Sequence, residues 1–247
     1  MAHKHYEKIS DDFEKNWFFT DTYFEELSGL IAGSINLQSG DSFADLGCGT
    51  GNYTHKLVKS FSGELSQVLG VDFSQSMLSQ LKKRDQGYLT ICSGLEEFVN
   101  MSSDKFDKVL LKEVIHHLDN PKLFYQKLKN CLKPNGQILI VTRPQKIEFP
   151  FFNKALEKFS KGQTSQSLIL EQLNSTGLET NVEVKKIVIK IKKNRLFKMI
   201  ENRFMSTFHE FSDQELNEGL KDLEKKYKNQ EEISFFDKLL FIKTSLS

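Results

Sequence analysis

The apolar residues change rhythm repeatedly along the chain, and each change marks an element. Between residues 40 and 145, short apolar runs alternate with stretches of helical spacing. SFADLG (42–47), QVLGVDF (67–73), YLTICSG (88–94), FDKVLLKEVIHHL (106–118) and QILIVT (137–142) read as strands. NYTHKLVKSF (52–61), SQSMLSQLKKR (74–84) and PKLFYQKLKNCL (121–132) read as the helices between them. Such alternation builds a parallel sheet with helices on both faces. Ser74 is placed to cap one helix, and Asn120–Pro121 supplies an N-cap and first helical residue for another. K-P-N-G (133–136) reads as a turn before the fifth strand.

The flanks have other patterns. Residues 6–31 carry Tyr6, Phe13, Trp17, Phe18, Phe19, Tyr23 and Phe24. Ser10 suits a helix cap, Phe13 and Trp17 share a helical face, and a second helix covers TYFEELSGLIAGSI (22–35). This leader reads as a flap packed on the core, or as an aromatic lid over a site; one segment can be both. Downstream, KIEFPFFNKALEKF (146–159) is rich in Phe, and SQSLILEQLNSTG (165–177) is a helix ended by Gly177. NVEVKKIVIKIKK (181–193) alternates, with Ile187, Ile189 and Ile191 on one face, and DKLLFIKTS (237–245) is a last strand. Between them KNRLFKMIENRFMSTFHEF (193–211), apolar almost all round, is expected as one buried helix. Ser212 and Glu215, with Phe211 and Leu216, form a capping box and staple for a helix to about Tyr227. The expected fold is α/β: a doubly wound, mostly parallel, seven-stranded Rossmann-like sheet with an antiparallel last strand. Residues 1–39 form a helical lid, 40–145 a ligand-binding core, and 146–247 a second half of the same domain with a helical cap between its last two strands.

Composition narrows the function. Charged residues make up 27 % of the 247 and the net charge is +1, so nothing calls for a nucleic-acid or acidic partner. Lys185, Lys186, Lys190, Lys192 and Lys193 form a solvated strand face or, alternatively, a nucleic-acid patch. Cys48, Cys92 and Cys131 show no C-x-x-C spacing, which suits a reducing compartment. No apolar run approaches the roughly 18 residues of a membrane span. A soluble, cytoplasmic chain, more readily a monomer, is expected.

The candidate chemistry centres on residues 45–51. Asp45 closes the first strand, and Gly47, Gly49 and Gly51 alternate with Cys48 and Thr50. Glycines let the chain turn at positive φ and bring backbone close to a ligand. The spacing is G-x-G-x-G rather than G-x-G-x-x-G, and no lysine follows in phosphate-loop register. One helix and one strand later, Asp72 ends QVLGVDF, where a carboxylate can accept from both hydroxyls of a ribose. Glu113–His117 follow the fourth strand, where ligands gather outside the carboxyl ends of parallel strands. A histidine there, His117 or His116, can take a proton from a nucleophile, although a packed helix-start histidine is the plainer reading. With no third ligand near in sequence, a metal site is not expected.

DLGCGTG resembles motif I of the class I S-adenosylmethionine-dependent methyltransferases, and VDFSQSML, EVIHHL and LKPNGQILI resemble the motifs that follow it. The chain resembles the small-molecule type, in particular the ubiquinone/menaquinone-biosynthesis and trans-aconitate groups. The resemblance implies S-adenosyl-L-methionine as cofactor. Asp45 would recognise its amino-acid end, Gly47, Cys48, Gly49 and Gly51 would make room for it, and Asp72 would hold the ribose. Phe73 and Met77 would flank the adenine, Ser93 and Gly94 would meet its edge, and Glu113 would complete the set. A small-molecule acceptor, methylated on N, O or C, is expected, with Tyr6 and Trp17 of the aromatic leader and Arg143 at the end of the fifth strand as candidate contacts. The helical insertion, similar to that of the trans-aconitate-type enzymes, adds Arg203 and His209. An RNA- or protein-modifying enzyme is the alternative, though Lys112-Glu113-Val114-Ile115 stands where a [DN]-P-P-[FY] signature would be. A cofactor-binding protein without catalysis is the third reading.

Overall fold

The computed structural model describes residues 19–84 and 87–246; the expected Ser10 helix, with Tyr6, Phe13, Trp17 and Phe18, lies outside the described residues. Helix α1 (Asp21–Ile35) opens on Thr20, whose hydroxyl accepts from the Tyr23 amide at 3.2 Å. Tyr23, Phe24, Leu27, Ile31 and Ile35 are buried, the i, i+4 pattern of one helical face, and Asn36 in left-handed conformation stops the helix.

Seven strands follow: β1 (Ser42–Leu46), β2 (Gln67–Asp72), β3 (Leu89–Cys92), β4 (Phe106–Lys112), β5 (Leu132–Thr142), β6 (Leu178–Lys192) and β7 (Glu232–Leu246). They make one sheet of order β3-β2-β1-β4-β5-β7-β6. β1 to β5 pair in parallel, and β7 runs antiparallel to both β5 and β6. This is the expected doubly wound sheet with its reversed last strand. Strand order reverses between β1 and β4, so the loops leaving those two strands flank a crevice.

Helices α2 (Asn52–Ser60), α3 (Gln75–Arg84), α4 (Leu95–Met101), α5 (Pro121–Leu128), α6 (Asn153–Gly162) and α7 (Gln166–Asn174) connect the strands. Two cores result. Against one face pack α1, α2, α3, α6 and the segment between β6 and β7; against the other pack α4, α5 and α7. The β6–β7 segment carries α8 (Lys193–Glu201), a 3₁₀ turn (Ser206–Glu210) and α9 (Asp213–Lys226), the expected helical insertion. Ser212 and Glu215 make the expected capping box.

The structure differs from the sequence reading in two places. K-P-N-G is not a turn before β5 but a bulge inside it: Phe106 pairs with Leu132, then Lys108 with Gln137. Asn135 takes φ 63°, and a Cβ on Gly136 would lie 2.8 Å from the Lys133 carbonyl oxygen and 2.9 Å from that of Phe106. The extra residues are absorbed because Gly136 lets two backbones touch. Second, 193–211 is not one helix. Arg203, at φ 53°, ends α8: its amide bonds to Ile200 O and that of Phe204 to Met199 O, the paired bonds of a Schellman stop. The Arg203 guanidinium then donates to the Phe208 and Phe211 carbonyls and to Asp213. The apolar pattern seen around this stretch is a Phe cluster, in which Phe151 meets Phe208 at 5.0 Å and Phe152 meets Phe211 at 5.2 Å between ring centroids.

Gly136→Ala is expected to lower stability by about 1–3 kcal/mol, the usual range for forcing a group into close-packed space. The measurement is a fall in the urea midpoint at unchanged slope.

Candidate functional site

The crevice at the strand-order reversal is a cavity of about 350 Å³. Its first wall is the turn after β1. Asp45 is buried and accepts from the Thr54 hydroxyl of α2. Burial pushes its carboxyl up to about 6, against the opposing pull of Thr54 and Lys112. Gly47 and Cys48 donate their amides to Val71 O at 2.7 and 3.1 Å, which ties the turn to β2. Asp72 closes the arrangement: one carboxylate oxygen accepts from the Gly49 amide and the other from the Ser74 amide, each at 2.9 Å. Ser74 in turn caps α3 through the Met77 amide at 3.3 Å.

The three glycines do different work. A Cβ on Gly47 would lie 2.3 Å from Val114 Cγ1, and one on Gly51 would lie 2.0 Å from Leu81 Cδ1. Both are held at positive φ by the protein's own packing, and Gly51, the N-cap of α2, is not among the cavity residues. Gly49, at φ 54°, has no atom of a described residue beyond its two chain neighbours within 4 Å of its Cβ position, and it lines the cavity. Space is thus left over Gly49, with carboxylates at Asp45 and Asp72. Phe73 and Met77 also face it. Ser93 and Gly94 do not line it: the Ser93 amide bonds to Asp72 O and its hydroxyl to Glu97, at the exposed β3 edge.

The second wall comes from the end of β4. Glu113 takes φ 54°, and its carboxylate accepts the Arg143 amide at 2.8 Å and guanidinium at 2.5 Å. Arg143 also donates through Nε and Nη2 to Asp237 at 2.9 and 2.8 Å, and Tyr23 donates its hydroxyl to Asp237 at 2.6 Å. The guanidinium is almost fully buried, and Asp237 is 0 % exposed. Glu113 and Arg143, read as a cofactor and an acceptor contact, both reach the cavity but are committed to each other. Burial resists ionisation of Glu113, yet Arg143 and Lys112 hold its pKa below the ordinary value.

His116 and His117 both line the cavity, rings 4.1 Å apart, because the 3₁₀ turn Ile115–His117 buries Ile115 instead. His116 Nδ1 is buried without a hydrogen-bond partner among the described residues. Burial, then the neighbouring His116, pushes His117 down to about 4, and burial lowers His116 too. Both are neutral near pH 7, and a base near 4 has little driving force to keep a proton.

The remaining wall is aromatic and comes from the flanks: Phe19, Phe24, Phe159 and Phe204, with Lys158 and Glu210 paired across it. Arg203, engaged in the α8 stop, and the exposed His209 are not among these residues, whereas their neighbours Phe204 and Thr207 are. Tyr6 and Trp17 lie outside the described residues. Sequence reasoning missed Tyr53, Asp237 and Lys112. Two opposed charges, Lys112 and Glu113, break the apolar run of β4, which was a usable signal; nothing in DKLLFIKTS marks Asp237 as buried.

A family model described as a methyltransferase domain matches residues 37–211. The chain belongs to the methyltransferase family. It is of the class I, S-adenosylmethionine-dependent type, as DLGCGTG and the later motifs imply. A mitochondrial ubiquinone biosynthesis O-methyltransferase of Dictyostelium discoideum is 34 % identical over 113 residues, 40 % of this chain and 34 % of that enzyme. A demethylmenaquinone methyltransferase of Bacillus subtilis is 26 % identical over 121 residues, 47 % of this chain and 52 % of that one. This methyltransferase therefore spans about half or less of the length of those relatives. Phosphoethanolamine N-methyltransferase 2 of Haemonchus contortus, solved with S-adenosylhomocysteine, superposes with a TM-score of 0.55 at 18 % identity, over 90 % of this chain and 53 % of that one. At that identity the likeness shows the fold. Among the described residues of the methyltransferase, no helix is long and apolar enough to cross a membrane.

Asp237→Leu is expected to destabilise the fold by about 3–5 kcal/mol, since it leaves a buried guanidinium without one of its two carboxylates. Chemical denaturation of the variant beside the parent measures it.

Proposed function

We propose that this methyltransferase moves a methyl group to an N, O or C atom of a small-molecule acceptor. The observation that supports this best is the open space over Gly49, with Asp45 and Asp72 to either side and aromatic flanks beyond. Those residues fit S-adenosylmethionine: carboxylates for the ammonium and the ribose hydroxyls, and Phe73 and Met77 for the planar base. When bound, it supplies an electrophilic methyl on a sulfonium, and on transfer the electron pair of the broken carbon–sulfur bond stays with sulfur. The chain's own part is positioning and exclusion of water, which can supply on the order of 7–11 kcal/mol. Asp72 fixes the Gly49 amide, so that loop and ribose site are set by one carboxylate. Residues 40–145 act as the cofactor half and 146–247 as the acceptor half, with 1–39 as the lid; Phe24, Asp72 and Phe204 each reach the cavity. Cys48, Cys92 and Cys131 are free thiols, which suits a cytoplasmic setting.

The β6 lysines give little support to a nucleic-acid substrate: none is among the cavity residues, Lys185 pairs with Glu183, and Lys186 sits over the Phe236 ring.

A methyl-transfer screen over a metabolite panel, read by mass spectrometry, tests the reading; no methylated product from any small molecule would refute it. Asp72→Asn is expected to weaken S-adenosylhomocysteine binding roughly 10- to 100-fold, or about 1.4–2.8 kcal/mol by calorimetry. Asp45 gives a pH signature. With its carboxyl near 6, the ionised fraction falls as pH drops from 7 to 5, so affinity for the ammonium-bearing ligand should fall about tenfold over that window.

A further inference from the structure

Lys112 is a cavity charge that neither the cofactor socket nor, unlike Lys158 and Glu210, an ion pair among the described residues uses. It ends β4 in register with Val141 of β5, and it leaves the sheet on the face of Leu110, which packs in the α1-side core. The ions around it have partners: Arg143 bridges Glu113 and Asp237, and Asp45 accepts from Thr54. The Lys112 ammonium donates no hydrogen bond to a described residue. Its contact is the face of Tyr53, 4.0 Å from the ring centroid. It lines the cavity together with the glycine turn and Phe19, Phe24 and Phe204. A half-buried ammonium whose three donors are not taken up by any described residue, at a cavity wall, is a receptor for oxygen.

We infer that Lys112 receives the acidic hydroxyl of the acceptor, a phenol or an enol, taking its proton on Nζ and then holding the oxyanion. This rests on the methyltransferase reading above. The step balances: the O–H bond breaks, its electron pair stays on oxygen, and the proton forms an N–H bond on the neutral amine. The ammonium gives the proton to solvent once product has left. The surroundings poise the group for this exchange. Burial pushes the Lys112 pKa down to about 8, against the raising pull of Glu113 on its own turn, Asp237 of β7 and Asp45 of β1; Arg143, after β5, pushes the same way as burial. At pH 7 roughly a tenth of such a lysine is neutral, against well under a thousandth at the ordinary value of about 10.4. His116 and His117 cannot substitute, since burial holds both below their ordinary range.

The test uses para-substituted phenols, 4-nitrophenol first, bound to the full chain saturated with S-adenosylhomocysteine. The visible absorbance of the phenolate reports ionisation without turnover. In the parent protein, bound nitrophenol should ionise at a lower pH than the free compound, by about one pH unit or more, as for an oxyanion beside a cation. Lys112→Arg keeps a cation and should keep that downshift, while losing most methyl transfer to weakly acidic phenols, because guanidinium cannot accept the proton. Lys112→Met should abolish the downshift. An unshifted titration in the parent, or an equal shift in Lys112→Met, overturns the proposal, as does a Lys112→Arg protein as active as the parent. Calorimetry of S-adenosylhomocysteine separates the two levels. If it does not bind the parent, the methyltransferase reading fails; if it binds and the phenol spectra do not move, only the role of Lys112 fails.

Discussion

A guanidinium removed from water must find acceptors inside the protein, and Arg143 finds them on two segments distant in sequence, with a third tied to one of them. Its own amide and Nη1 reach Glu113 after β4, Nε and Nη2 reach Asp237 of β7, and Tyr23 of α1 donates to Asp237 as well. Breaking any one link leaves a buried charge short of partners, the expensive outcome in a low-dielectric interior. The link therefore fixes how the antiparallel β7 sits beside β5 and where α1 lies across the sheet. It also dictates the left-handed turn at Glu113, a strained conformation for a residue with a Cβ. The histidine pair and Val114 inherit their places from that turn. The second wall of the cavity is thus a by-product of one ionic knot.

The first wall has a different origin. Gly47 and Gly51 are glycines because Val114 and Leu81 occupy the space a side chain would need; Gly49 is a glycine facing a void. A sequence motif shows three equivalent glycines, and only packing separates them. The same holds for the two acids, which look alike in sequence. Asp45 is buried against a hydroxyl and so pushed toward neutrality, while Asp72 is fastened by two backbone amides.

Most of the sheet was legible because strands buried on both faces are continuous apolar runs, and the helices between them carry caps at Ser74, Asn120 and Ser212. The strand-order reversal followed from the motifs, and so did Asp45, Gly49 and Asp72 in the site. What escaped was what tertiary contact decides. The bulge at Gly136 depends on a backbone 30 residues away. The break at Arg203 depends on carbonyls that have not yet been placed when the stretch is read in isolation. Asp237 sits in an ordinary strand pattern, and its burial is explained by Arg143, 94 residues upstream, and by Tyr23, 214 residues upstream. Arg203 and His209 were chosen from the right segment, but the residues that turn inward are their apolar and hydroxyl neighbours.

The β6–β7 ladder pairs residue for residue from Leu178↔Leu246 to Lys192↔Glu232, and the whole insertion hangs from its far end. A fifteen-rung hairpin is a rigid boom, and what hangs from its tip contributes Phe204, Met205 and Thr207 to the cavity while sharing no strand with the glycine turn. A change in that segment, in length or chemistry, therefore alters one wall of the cavity without touching a residue of the turn after β1. One cavity wall is carried on residues 193–231 and another on the glycine turn, so the two walls can vary in sequence independently of each other.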